Sequence, residues 1–87
     1  MQDDSVYLGW TNWETFSVAN NISNYEPWYN IARTVSDYEQ FKLEVVKYNL
    51  SQGNYAANVL TCEGVSLNSS LLDIEELNDH IDDINED

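Results

Sequence analysis

Residues 70–87 read SLLDIEELNDHIDDINED, and this stretch decides the fold. Set on a wheel at about 100° per residue, Leu71, Ile74, Leu77, Ile81 and Ile84 share one arc, and Asp73, Glu75, Glu76, Asp79, Asp82, Asp83, Glu86 and Asp87 fill the opposite half. A segment patterned in this way is a helix that docks by one side and meets water with the other. Ser70-Leu71-Leu72-Asp73 has the spacing of an N-terminal capping box, so a last helix is predicted from there to about Ile84.

The same signals recur upstream. Thr11-Asn12-Trp13-Glu14 fits a capping box, with the Thr11 hydroxyl and the Glu14 carboxylate satisfying each other's backbone N–H groups. Behind it Trp13, Thr15, Phe16, Val18, Ala19 and Ile22 fill one arc, and Glu14, Ser17, Asn21 and Asn24 the other, predicting a helix to Ser23 or Asn24. Pro27 suits a first helical turn, where its missing N–H costs nothing, and predicts a short helix over 26–34 with Trp28, Ile31, Ala32 and Val35 inward. Ser36-Asp37-Tyr38-Glu39 is a further box, introducing Tyr38, Phe41, Val45 and Tyr48 at helical spacing. Ser51, Gln52 and Gly53 break that helix. Residues 54–62, rich in alanine and apolar side chains, are expected to form another, stopped at Gly64, with a loop over 64–69. Val6, Tyr7, Leu8 and Trp10 suggest a short extended segment before the first helix. The expected fold is therefore mainly α: one domain over residues 1–87, a bundle of four to five helices with a short extended N-terminal segment.

The core must be small and aromatic. Eleven aromatic residues, from Tyr7 to Tyr55, supply it, and a buried aromatic removes about 150 to 250 Å² from water. Cys62 is the sole cysteine, which excludes an internal disulfide and a cysteine-based zinc site and fits a reducing compartment. With no basic, apolar leader pattern and no apolar run of membrane-spanning length, the chain is expected in the cytoplasm and away from membranes.

Sixteen acids against three bases give a net charge of −13. The imbalance is uneven: residues 1–47 hold seven acids and all three bases (Arg33, Lys42 and Lys47), whereas residues 48–87 hold nine acids and none. Such a surface repels nucleic acid and anionic membranes and steers toward basic partners, so direct nucleic-acid binding is not expected.

Catalytic chemistry finds little support. The single histidine, His80, lies in the acidic helix, Cys62 has no cationic neighbour in sequence, and a convex row of carboxylates offers no cleft for glycoside chemistry. Asp73, Glu75 and Asp79 superficially match a calcium loop, but position 78 is asparagine where that loop needs glycine. No phosphate-cradling glycine motif occurs. The chain is read as a binding protein rather than an enzyme, with no cofactor and no dedicated metal.

Asn12-Trp13-Glu14-Thr15-Phe16, followed by Val18-Ala19-Asn20-Asn21, resembles the opening of a family of short, largely uncharacterised phage and mobile-element proteins that begin with an Asn-aromatic-Glu-Thr signature. Gly64-Val65-Ser66-Leu67, leading to Leu72-Asp73-Ile74-Glu75-Glu76-Leu77, is similar to that family's closing segment. The resemblance implies a phage origin and a small helical domain, but no activity. The chain departs from the family's usual pattern at Phe16, where a second tryptophan is common, and at the asparagines that replace an apolar pair.

Two functions follow as expectations. In the first, a phage-encoded inhibitor presents Asp73, Glu75, Glu76, Asp79, Asp82, Asp83, Glu86 and Asp87, extended by Glu63, as a nucleic-acid mimic to a basic host protein such as a restriction, CRISPR or nucleoid factor. Eight carboxylates over 15 residues amount to one per roughly 2.8 Å of helix, against about 3.4 Å along one DNA strand. Two features argue against mere solubility: no base follows Lys47 to form ion pairs, and acids near a helix C-terminus oppose its dipole. In the second, Trp10, Trp13, Trp28 and Tyr29 are the anchors of an adaptor surface, with Asn20 beside Trp13 and Phe16 as a buried or contact residue, and the acids confer solubility alone. A homodimer that hides part of this aromatic surface is a variant of the second.

Overall fold

The computed structural model describes residues 9–54 and 59–86, so the extended segment expected over Met1–Leu8 lies outside the described residues. Four helices make up the described chain: α1 (Trp13–Asn24), α2 (Glu26–Ala32), α3 (Tyr38–Ser51) and α4 (Ile74–Asn85). The mainly helical single domain matches the reading of the sequence. One apolar core runs through it, formed by Val18, Ala19 and Ile22 of α1, Trp28 and Ala32 of α2, Tyr38, Phe41 and Val45 of α3, and Leu77, Ile81 and Ile84 of α4.

All three capping boxes mark helix starts, but the capping residue is in each case an Asn or Asp downstream of the expected Ser or Thr. Asn12, Asp37 and Asp73 accept the N–H groups of Thr15, Gln40 and Glu76 at 2.8, 2.9 and 3.1 Å. A short side chain with its oxygen on Cγ reaches the N–H three residues on while the backbone stays extended, as it is at Asn12 (φ −155°, ψ 174°) and Asp37 (φ −154°, ψ 176°). Because α4 starts after Asp73, Leu71 precedes the helix and is exposed, Ile74 is only partly covered, and Leu72 turns inward instead.

Residues 59–62 correct the expected helix over 54–62, of which 55–58 lie outside the described residues. They are not helical: 59–61 form an arm in which Leu60 pairs antiparallel with Ser66, and Cys62 begins the turn. Thr61 donates its N–H to the Val65 carbonyl (2.8 Å) and Leu67 donates to that of Val59 (3.0 Å). Burial alternates with strand period: Val59, Thr61, Val65 and Leu67 face in, while Leu60 faces out. Gly64 closes the turn by donating to the Thr61 carbonyl (2.9 Å), with a φ of +90° that side chains disfavour. The glycine is a stop signal as expected, but it ends one arm of a hairpin-like turn rather than a helix.

α1 and α2 meet at Tyr25, which is the C-cap of one and the N-cap of the other. Trp28 packs edge-on against Phe41 (5.8 Å), and Tyr38 stacks on Phe41 (5.9 Å). The buried Tyr38 hydroxyl donates to the Leu67 carbonyl (2.7 Å), tying the hairpin to α3. Burial holds its pKa well above the ordinary tyrosine range, so it stays a donor.

Candidate interaction surface on the last helix

α4 is held along its whole length. At its N-terminus it clasps the start of α1: Thr11 donates its N–H to Glu76 Oε1 and its hydroxyl to Asp73 Oδ2, both at 2.9 Å. Asn12 Nδ2 donates to the Leu71 carbonyl (2.6 Å), and the Asp73 N–H donates to the Thr15 hydroxyl (2.9 Å). In the middle, Asn78 Oδ1 accepts the Tyr38 N–H (2.8 Å) and His80 Nε2 pairs with the Ser23 hydroxyl (2.8 Å). At the far end Asn85 Nδ2 donates to the carbonyls of Ala32 (2.9 Å) and Val35 (3.1 Å). With Leu77, Ile81 and Ile84 buried below, one face of α4 belongs wholly to the fold.

The other face carries Glu75, Asp79, Asp82, Asp83 and Glu86, all exposed. Glu75, Asp79, Asp82 and Glu86 lie within an arc of about 60°, a straight row about 16 Å long. α4 contains no basic residue, and both ion pairs among the described residues lie within α3: Lys42 with Glu39 (3.1 Å) and Lys47 with Glu44 (3.2 Å). Among the described residues the carboxylate row thus has no countercharge.

Not every acid expected in that row belongs to it. Asp73 and Glu76 hold the clasp to Thr11, and Asp87, like Asp3 and Asp4, lies outside the described residues. Glu63 is on another side of the molecule. Its Oε1 accepts from Ser17 Oγ (2.6 Å) and Asn21 Nδ2 (2.9 Å), whereas α4 docks against Thr15, Ala19 and Ser23, about 180° away around α1. The hydrogen bond from Ser17 leads the causes that hold the Glu63 carboxyl below its usual range, with Asn21 and Cys62 assisting. Glu63 pins the hairpin to α1.

The aromatic set also separates. Trp28 is 4% exposed and is a core residue, which corrects its assignment as an anchor. Tyr29 is partly covered, with the Arg33 guanidinium 5.9 Å from its ring centre. Trp13 is exposed. Asn20 is half-buried and accepts the Asn24 amide at its Oδ1 (2.7 Å) and carbonyl (3.0 Å). Trp10 stands edge-on to the His80 ring at 5.3 Å, and with Gly9, Glu76, Asp79 and Asp83 the two rings line a shallow recess of about 260 Å³. Burial lowers the His80 pKa, outweighing the Ala19 carbonyl and Asp83, which pull the other way. The role of His80 as a joint between α1 and α4 was missed in the sequence because nothing near it predicts that Ser23 would meet it.

No protein-family model matches the sequence, nor does any curated protein or solved structure. Among the described residues no group of three or more His, Cys, Asp and Glu side chains is placed to hold a metal ion, and no helix is long and apolar enough to cross a membrane.

Proposed function

We propose that this chain acts by binding: the outer row of α4 enters the basic groove of a nucleic-acid-binding protein in place of a phosphate strand and so inhibits it. The observation that carries this reading is the row of four exposed carboxylates, Glu75, Asp79, Asp82 and Glu86, with Asp83 beside it, which has no countercharge among the described residues and lies on a helix whose other face is fixed to the fold. Together the five fall at one per roughly 4 Å of helix, close to the about 3.4 Å of one DNA strand. Asp82, Asp83 and Glu86 sit at the negative end of the helix dipole, where carboxylates cost stability, which favours a use outside folding. The resemblance in α1 favours a phage or mobile-element protein acting in a host cytoplasm on a defence or nucleoid factor.

The test is capture from host lysate on the immobilised chain, with salt steps from about 0.1 M to about 1 M and an Asp79→Asn, Asp82→Asn, Asp83→Asn variant alongside. Capture of a nucleic-acid-binding protein that is released by salt, competed by DNA or RNA and lost in the variant supports mimicry. Capture that survives both high salt and the triple substitution sinks it.

A further inference from the structure

A cleft opens between the C-terminal ends of α1 and α3 and the 59–61 arm of the hairpin. Asn49 borders its larger hollow, of about 440 Å³, Asn20 and Asn24 border a smaller one of about 230 Å³, and Asn21 and Tyr25 border both. The larger has the size of a small-molecule site, roughly 300 to 1,000 Å³. The chain has sixteen acids and three bases, yet among the described residues no charged side chain lines either hollow. Carboxamides line them instead, and these are of two kinds. Asn21 builds the wall: its Nδ2 donates to the Ser17 carbonyl (2.8 Å) and Glu63 Oε1 (2.9 Å), and its Oδ1 accepts the Cys62 N–H (3.2 Å), so the cleft is shaped before any ligand arrives. Asn20, Asn24 and Asn49 have capacity to spare. Asn24 Nδ2 donates to the Asn20 Oδ1 and carbonyl, which leaves Asn20 Nδ2 and Asn24 Oδ1 without a partner among the described residues, and the Asn49 carboxamide has none there either. Where the hollows meet, the Tyr25 ring is 49% exposed and is held edge-on by buried Trp28 at 5.8 Å.

We propose that this cleft binds a neutral disaccharide laid across Tyr25, with one sugar ring toward each hollow. The ligand is uncharged, because nothing in the cleft pairs with an ion and a chain at −13 repels anions, while a cation finds its countercharge on α4. It also carries donors and acceptors spread along its length, since the free groups lie on both sides of Tyr25. A sugar hydroxyl is donor and acceptor at once, and a carboxamide answers both. The slightly positive C–H face of a sugar ring packs against the negative face of an aromatic ring, which Tyr25 offers in a fixed orientation. A nucleobase would use one planar edge and one stacking face, leaving the amides of the other hollow unanswered. The site is separate from the α4 row and does not depend on it.

NMR titration of the full chain with maltose, cellobiose and lactose, each to about 20 mM, tests the site. At least one sugar should shift the Asn49 side-chain amide and the Tyr25 signals to saturation. Its affinity should change less than about twofold between about 0.1 M and about 1 M salt, because no charge takes part. Tyr25→Ala and Asn49→Ala, neither of which removes a side-chain hydrogen bond within the described residues, should each weaken binding about tenfold. Tyr25→Phe keeps the ring and should stay within about threefold, and Leu43→Ala, outside the cleft, should leave binding as it was. Flat spectra with all three sugars overturn the proposal. So does binding that survives both Tyr25→Ala and Asn49→Ala, or adenosine saturating the cleft where no sugar does.

Discussion

α3 and α4 are both amphipathic, yet they manage their outer faces in opposite ways. α3 pairs each lysine with a glutamate three residues away and leaves apolar side chains in water. α4 buries its aliphatic side chains from Leu77 onward and leaves its outer acids without a countercharge among the described residues. Neither arrangement is the most stable available, since exposed leucines contribute little to folding and like charges at i, i+4 oppose it. The difference separates two kinds of surface: one open to apolar contact at neutral charge, the other to a cation-rich groove.

The sharpest way to break that division is to show that Trp28, expected from the sequence as an anchor, also belongs to a binding surface. It is expected to fail. Trp28→Ala removes a buried ring that contacts Phe41 and Tyr25 edge-on, and the loss should be about 3 to 5 kcal/mol of stability. That is a large part of what a domain of this size has, and chemical denaturation measures it. A Trp28→Ala protein that remains fully folded would return Trp28 to the anchors.

Next in size is the clasp that keeps α4 in register. Asp73→Ala removes the cap on α4 and the partner of the Thr11 hydroxyl, costing about 1 to 2 kcal/mol. Ser70→Ala, at the position where the sequence pattern placed the box, should change the denaturation midpoint little. The pair of variants bears on how the sequence is read. Three boxes were legible because a polar start and an acid or amide downstream do recur before each apolar run. Which residue caps was not, because Thr11-Asn12, Ser36-Asp37 and the span from Ser70 to Asp73 each offer two acceptors, and only the backbone's exit angle decides. The hairpin was hidden for a different reason. Its inward residues, Val59, Thr61, Val65 and Leu67, alternate across a turn that breaks the count, and the alanines before them favour a helix. That Glu75, Asp79, Asp82, Asp83 and Glu86 share an exposed side was legible because one helix carries them, but not that Asp73 and Glu76 would be drawn into the clasp with Thr11. That Glu63 stands apart depends on where a turn folds, and no local pattern records that.

A smaller effect has the opposite sign. Replacing Asp82 and Asp83 by asparagine should stabilise the fold, by about 0.3 to 1 kcal/mol each at low salt, because both sit near the C-terminus of α4 without a cation. Added salt should shrink the gain. Thermal melts of the double variant at two salt concentrations measure it. A loss of stability instead would mean that the row has partners inside the protein, and the contrast with α3 would fall.

The smallest expected effect tests whether α4 is fixed on its inner side as firmly as it is free on its outer side. Burial lowers the folded-state pKa of His80 from its ordinary 6.5. Below that value the unfolded chain therefore binds a proton that the folded protein resists, and the stability difference is present above about pH 6.5 and lost as pH falls toward the folded value. The Ala19 carbonyl on α1 and Asp83 on α4 limit the size of the loss by favouring the charged ring. His80→Gln keeps a hydrogen-bonding group near the Ser23 hydroxyl and removes the titration. Relative to that variant, the native chain should lose denaturation midpoint between about pH 7.5 and about pH 5.5. A difference that stays flat, or grows as the pH falls, would mean that the imidazole takes its proton without leaving Ser23, and that the acids of α4 reach the inner joint as well as the outer face.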